Sequence, residues 1–164
     1  MANASLPINI RFVYAQPAYC IAFAGGVGLA PFAPGTFGTL LAFPVFSLLA
    51  AYSDIITQLL VFIVFFGTGV WACHITGRTL GVADHGGMVW DETAAFLLVL
   101  IFTPAELAWQ IAAFALFRFF DIVKPQPIRH FDRTLKNGFG VMFDDLLAAG
   151  YTLFVLALAK TLID

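Results

Sequence analysis

The carboxylates of this chain collect at the ends of apolar stretches. "VWDET" puts Asp91 and Glu92 side by side where a polar loop gives way to a hydrophobic run, and "MFDDLLAAG" repeats the arrangement with Asp144 and Asp145. Asp121, in "RFFDIVKPQPIRHFDR", closes a third apolar run. A carboxylate at a helix start gains a few tenths to about 1 kcal/mol from the helix dipole, which accounts for each pair taken alone. Ionised carboxylates beside hydrocarbon are costly, however, and inside membrane helices they mark functional positions. Three helices that each deliver acids to one boundary need a cation to hold the like charges together. An all-oxygen donor set, without cysteine and histidine at zinc spacing, suits a hard ion such as Mg²⁺, which keeps several waters and shares its coordination with phosphate.

Basic residues and a glycine-rich segment accompany the acids. Arg118 and Asp121 stand three apart, on one helix face, where they can form an ion pair. Lys124 precedes Pro125, where the helix should stop. Arg118, Lys124 and Arg129 are candidates to grip phosphate oxygens, arginine through paired contacts; the plainer alternative is a basic and aromatic anchor at the membrane surface. "GGVGLAPFAPGTFGT", residues 25–39, combines glycines that let a backbone approach a ligand with prolines that fix the loop. It resembles an anion-cradling loop running into a helix N-terminus, with Gly35, Thr36 and Thr39 as candidate phosphate contacts. No Gly-Lys-Ser/Thr follows, so it is not a Walker A motif. Asp84 and His85 in "ADHGG" are either site residues, with His85 a further phosphate contact, or a turn; His74 and His130 fit the membrane interface.

The elements that must position these groups are membrane helices. Of the chain's 164 residues 61% are hydrophobic and 11% charged, with a mean hydropathy of +0.92, outside the range of soluble domains. At roughly 20 apolar residues per span, the expected architecture is all-α: one compact, multi-pass membrane bundle of four to five short helices over residues 1–164. The apolar runs fall at residues 36–52 (interrupted by Pro44), 55–75, 93–103, 107–120 and 146–163, the last beginning just after the twin aspartates. A net charge of −2 gives no basic surface for nucleic acid. Cys20 and Cys73 lie far apart in apolar stretches, where free thiols behave as small hydrophobes. "MANASLPINIRFVYAQPAYC" lacks the basic, apolar and small-residue pattern of a signal peptide. Asp54 and Asp164 read as loop and tail charges.

Arg11, Arg78, Arg118, Lys124, Arg129, Arg133 and Lys136 lie before the first helix, between the second and third, or between the fourth and fifth, and Lys160 is the exception. The positive-inside rule makes those segments cytoplasmic. The same segments hold most of the acids, with Glu106 on the opposite face.

Taken in order, Gly26 to Thr39, "DHGGMVWDE", "RFFDIVKPQPIRHFDR" and "GFGVMFDDLLAAG" resemble the motifs of the phosphatidylglycerophosphatase A family of bacterial Mg²⁺-dependent lipid phosphatases, from about residue 23 to residue 151. The resemblance implies hydrolysis of phosphatidylglycerophosphate to phosphatidylglycerol and inorganic phosphate at the cytoplasmic face of the inner membrane. It makes Asp91, Glu92, Asp121, Asp144 and Asp145 the catalytic and metal-binding set. Ala95 departs from the glycine that often follows the acidic pair in the family. Two other classes use similar parts. A CDP-alcohol phosphotransferase needs a long motif containing Asp-Gly-Ala-Arg, which is missing, and a small ion transporter places its acids near mid-membrane rather than at helix ends.

The charge bias generates a topology prediction. In a background without Cys20 and Cys73, cysteines introduced at Thr79 and Asn137 should react with an impermeant thiol reagent only after spheroplasts are opened; labelling of either in intact spheroplasts reverses the orientation.

Overall fold

The computed structural model describes residues 7–163; residues 1–6, which begin the segment inspected for a signal peptide, and the tail charge Asp164 lie outside the described residues. Regular structure in it is helical: α1 (Ile10–Val13), α2 (Pro17–Ala22), a 3₁₀ segment (Ala24–Leu29), α3 (Pro34–Tyr52), α4 (Ile55–Leu80), α5 (Trp90–Phe102), α6 (Leu107–Val123), α7 (Ile128–Thr134) and α8 (Gly138–Ile163). The expectation of four to five helices is therefore corrected to nine helical segments among the described residues. Each of the five apolar runs is one long helix, α3 to α6 and α8. The other four are of seven residues or fewer. They are set by local chemistry that hydropathy does not register: Asn9 Oδ1 accepts from the N–H groups of Arg11 and Phe12, and Pro17 opens α2.

Three helices, α3, α4 and α8, are long and apolar enough to cross a membrane. α5 has only 13 residues, about 20 Å of rise against a hydrocarbon thickness of about 30 Å. Most of it is enclosed by protein. α5 packs against α3, α4 and α8, and Asp91, Thr93–Leu97, Val99 and Leu100 are all buried. A helix that is apolar all round belongs in an interior, and this one forms the axis of the bundle. Phe96 at its middle is fully buried, with its ring 5.3 Å from Phe117 of α6 and 5.4 Å from Phe43 of α3.

Small residues let the long helices approach this axis. A Cβ at Gly38 of α3 would lie 2.7 Å from Val89, and Thr93 Oγ1 donates to the Gly38 carbonyl at 2.8 Å. Gly69 of α4 leaves room for Met142 and Trp90, and the Trp90 indole N–H donates to the Phe65 carbonyl at 2.9 Å. Where α8 starts against α4, a Cβ at Gly138 would run into the Val70 carbonyl and the backbone of His74. By contrast, a Cβ at Gly67 of α4 meets nothing.

Gly138→Ala should therefore overpack the α4–α8 contact and cost about 1–3 kcal/mol or more, while Gly67→Ala should stabilise its helix by about 0.5–1 kcal/mol. Melting temperatures of the two variants in detergent should move in opposite directions; equal shifts would remove close packing as the role of Gly138.

Candidate metal and phosphate site

Asp91 and Glu92 occupy the first turn of α5. That turn is held in place by the end of α2, since the Val89 N–H donates to the Ala22 carbonyl at 2.8 Å. The second pair is placed differently from the expectation. α8 begins at Gly138, not after the aspartates, because Asn137 opens it: its Oδ1 accepts from the Gly140 N–H at 3.0 Å and its carbonyl from the Val141 N–H at 3.1 Å. Asp144 and Asp145 thus stand about two turns inside the helix. A capping side chain reaches only the first free N–H groups, so helix capping does not explain this pair.

Three of the four are buried and Glu92 is nearly so. Asp91 is 6% exposed, and Asp144 and Asp145 are 3%. One oxygen each of Asp91, Glu92 and Asp145 lies within 4.8 Å of the others, an arrangement that could hold a metal ion. Asp91 Oδ1, Glu92 Oε2 and Asp145 Oδ2 are each buried without a hydrogen-bond partner. Leaving a buried charged oxygen unpaired is expensive, and a bound cation would satisfy all three at once. The residues present therefore fit a hard divalent ion.

Asp121 and Asp144 have other partners. Arg118 Nη1 sits 2.6 Å from Asp121 Oδ2, 3.7 Å from Glu92 Oε1 and 3.3 Å from Thr39 Oγ1, to which it donates. Thr39 Oγ1 in turn donates to the Gly35 carbonyl at 2.9 Å. Arg118 therefore joins α3, α5 and α6, and its Nε is buried and unpartnered. Lys124, in the left-handed conformation that ends α6, donates to Asp144 and, at 3.0 Å, to Asp132 of α7. Burial pushes the Asp132 carboxyl up, but the hydrogen bond and charge of Lys124 outweigh it and hold it below the ordinary carboxylate value. Burial also works against the Lys124 ammonium, and Asp144 and Asp132 more than reverse that effect.

The structure thus brings the candidates together unevenly. Of the five acids, three form the tight cluster and two are ion-paired at its edges. The start of α3 reaches it: a Cβ at Gly35 would collide with Glu92 Oε1 and lie 3.2 Å from Arg118 Nη1. Thr36 is half-buried in the same turn, its N–H donating to the Ala33 carbonyl at 2.9 Å. His85 makes a turn, with its Nδ1 accepting from the Gly87 N–H at 3.1 Å. Arg129 is exposed and donates to the Val123 carbonyl at 3.2 Å. Sequence inspection assigned no part to Asp132, which shares Lys124 with Asp144; nothing in an eight-residue separation across a turn signals that contact.

The chain is similar to several known proteins. A family profile described as phosphatidylglycerophosphatase A matches residues 20–160. A Haemophilus influenzae protein named phosphatidylglycerophosphatase A is 46% identical over 146 residues, covering 85% of this chain and 86% of that protein. The Escherichia coli (strain K12) protein of the same name is 39% identical over 141 residues, 84% of this chain and 80% of its own length. A Bacteroides thetaiotaomicron protein, provisionally named a phosphatidylinositol-3-phosphatase, is 38% identical over 145 residues, 84% of this chain and 90% of its own. No solved structure matches. A family profile spanning most of the chain and two relatives of one name agree: the chain belongs to the phosphatidylglycerophosphatase A family.

Proposed function

We propose that this chain hydrolyses the terminal phosphate monoester of phosphatidylglycerophosphate, yielding phosphatidylglycerol and inorganic phosphate in glycerophospholipid biosynthesis. The observation that carries the proposal is the cluster of Asp91, Glu92 and Asp145, with partnerless buried oxygens beside Arg118, in a chain of this family. The all-oxygen donor set favours Mg²⁺. When bound, Mg²⁺ supplies charge neutralisation for the phosphate and acidifies a coordinated water.

The protein's own groups then divide the work. Asp91, Glu92 and Asp145 hold the ion, and one carboxylate of the set accepts the proton of the attacking water. Arg118, oriented by Asp121 and Thr39, has its Nε free to donate to a phosphate oxygen. Gly35 allows the first turn of α3, with Thr36 and Thr39, to come close to the same anion. Lys124 fixes Asp144 and adds positive charge at the rim. Arg129 and His85 stand further out as candidate contacts to the headgroup. Water adds its oxygen to phosphorus, the glycerol oxygen leaves with a proton, and the lipid is released as an alcohol. The basic residues of the loops near this end favour its placement at the cytoplasmic face of the bacterial inner membrane, within a single domain of residues 1–164.

Two measurements test these roles. Purified protein should release phosphate from phosphatidylglycerophosphate faster than from phosphatidate or phosphatidylinositol 3-phosphate, and EDTA should stop it. Equal rates on all three would reduce the activity to general lipid phosphatase, and the name of the Bacteroides relative makes the inositol lipid the competitor to include. The second measurement is thermal. A hundredfold excess of Mg²⁺ over its Kd should stabilise the wild-type fold by about 2.7 kcal/mol. Asp91→Asn and Asp145→Asn should lose most of that gain and nearly all turnover, yet be no less stable in EDTA, because each removes one of several repelling charges. Variants that kept both the Mg²⁺ shift and phosphate release would refute the shared site.

A further inference from the structure

A shallow cavity of about 280 Å³ opens on α8, lined by Leu147, Gly150, Tyr151 and Phe154. These positions are spaced three and four apart and so form one face of the helix. Asp144 continues the same face, three residues before Leu147. From Asp144 to Phe154 the helix rises about 15 Å. The groove therefore begins one turn from the acidic site and runs away from it along a candidate membrane-crossing helix.

One of its lining residues, Tyr151, is tied to the loop beside the site as well. Tyr151 donates its hydroxyl to the Gln126 carbonyl at 2.9 Å, and its ring stands 5.4 Å from Phe120. Gln126 lies two residues beyond Lys124, the residue paired with Asp144. One short linker thus anchors Tyr151 and supplies the cation at the rim of the acids. A tyrosine with a polar tip and a ring lying in an apolar groove marks the boundary between headgroup and hydrocarbon.

Gly150 gives the groove its depth. A mid-helix glycine lowers stability relative to alanine, and elsewhere on α8 the reason for glycine is protein contact: a Cβ at Gly138 or Gly140 would strike neighbouring backbone. A Cβ at Gly150 meets nothing within 4 Å. No part of the protein requires that space.

We propose that this groove receives one acyl chain of the lipid whose phosphate is held at the acidic cluster, so that α8 binds tail and headgroup along one face. The inference rests on the lipid phosphatase reading. It commits to an acyl chain because the lining is apolar, the groove starts at the level of the site, and a phosphate held there brings its lipid tail to that level.

The test is to fill the groove without disturbing the protein. Gly150→Leu places its side chain in open space on a helix, and Gly67→Leu, equally unobstructed on α4, is the control. Phosphate release is measured with dioleoyl and with dihexanoyl phosphatidylglycerophosphate, alongside melting temperatures. Gly150→Leu should raise KM for the dioleoyl lipid about tenfold or more, the equivalent of two or more methylenes losing their contact. It should leave kcat and the dihexanoyl KM unchanged, and Gly67→Leu should alter neither. Gly150→Ala, which adds one methyl group, should shift the dioleoyl KM in the same direction by up to about fourfold, and serves if the larger variant melts early. An unchanged dioleoyl KM, or an equal rise for both lipids, overturns the acyl groove while leaving the phosphatase intact. Wild-type protein that releases phosphate from neither lipid overturns the phosphatase, and the groove falls with it.

Discussion

Five carboxylates converge on the end of a buried helix, and two cations, Arg118 and Lys124, face them directly. Because Arg118 lies closest to Asp121, reaching Glu92 only at 3.7 Å, and Lys124 is engaged by Asp144, the three central acids are not matched by an equal number of cations. Charge buried in this way is tolerable only if something positive is bound or protons are taken up, so the fold is built around an unsatisfied electrostatic demand. The packing of α5 follows from it. A helix presenting Asp91 and Glu92 must be walled off from hydrocarbon, and α3, α4 and α8 do so by closing on it through Gly38, Gly69 and Thr93. The ion pairs at the edges then orient the acids instead of cancelling them. Removing one partner of such a pair strands a buried charge and typically costs about 3–5 kcal/mol.

Much of this could be read from the sequence, and what could not has identifiable causes. The five apolar runs each became a helix, since hydropathy over ten or more residues is a strong local signal. The acids of the site were legible because ionisable residues stand out against so apolar a chain. The start of α8 was misplaced by eight residues because Asp144 and Asp145 look like a helix entry, whereas the true opening is an asparagine in a polar loop. The short helices before α3 were missed because they are fixed by caps and turns, with Gly25 and Gly26 at positive φ, and carry no apolar period. Which acids would cluster was not legible at all. Asp121 and Asp145 look equivalent in the sequence, and only the partners that tertiary packing supplies separate them: Arg118 for the first, Asp91 and Glu92 for the second.

The shortness of α5 has a mechanical consequence. α4 and α8 are each 26 residues long, about 39 Å of helix, against a hydrocarbon layer of about 30 Å, and in a helix that crosses one a surplus of that kind is taken up by tilting or by local change in bilayer thickness. α5, 13 residues long and mostly buried in protein, carries no such mismatch. Asp91 and Glu92 are therefore positioned by protein contacts rather than by the membrane. In bilayers of different thickness outer helices of this length would lean while Asp91 and Glu92 kept their mutual spacing, which would insulate the acidic cluster from the lipid composition that a phospholipid-making enzyme alters.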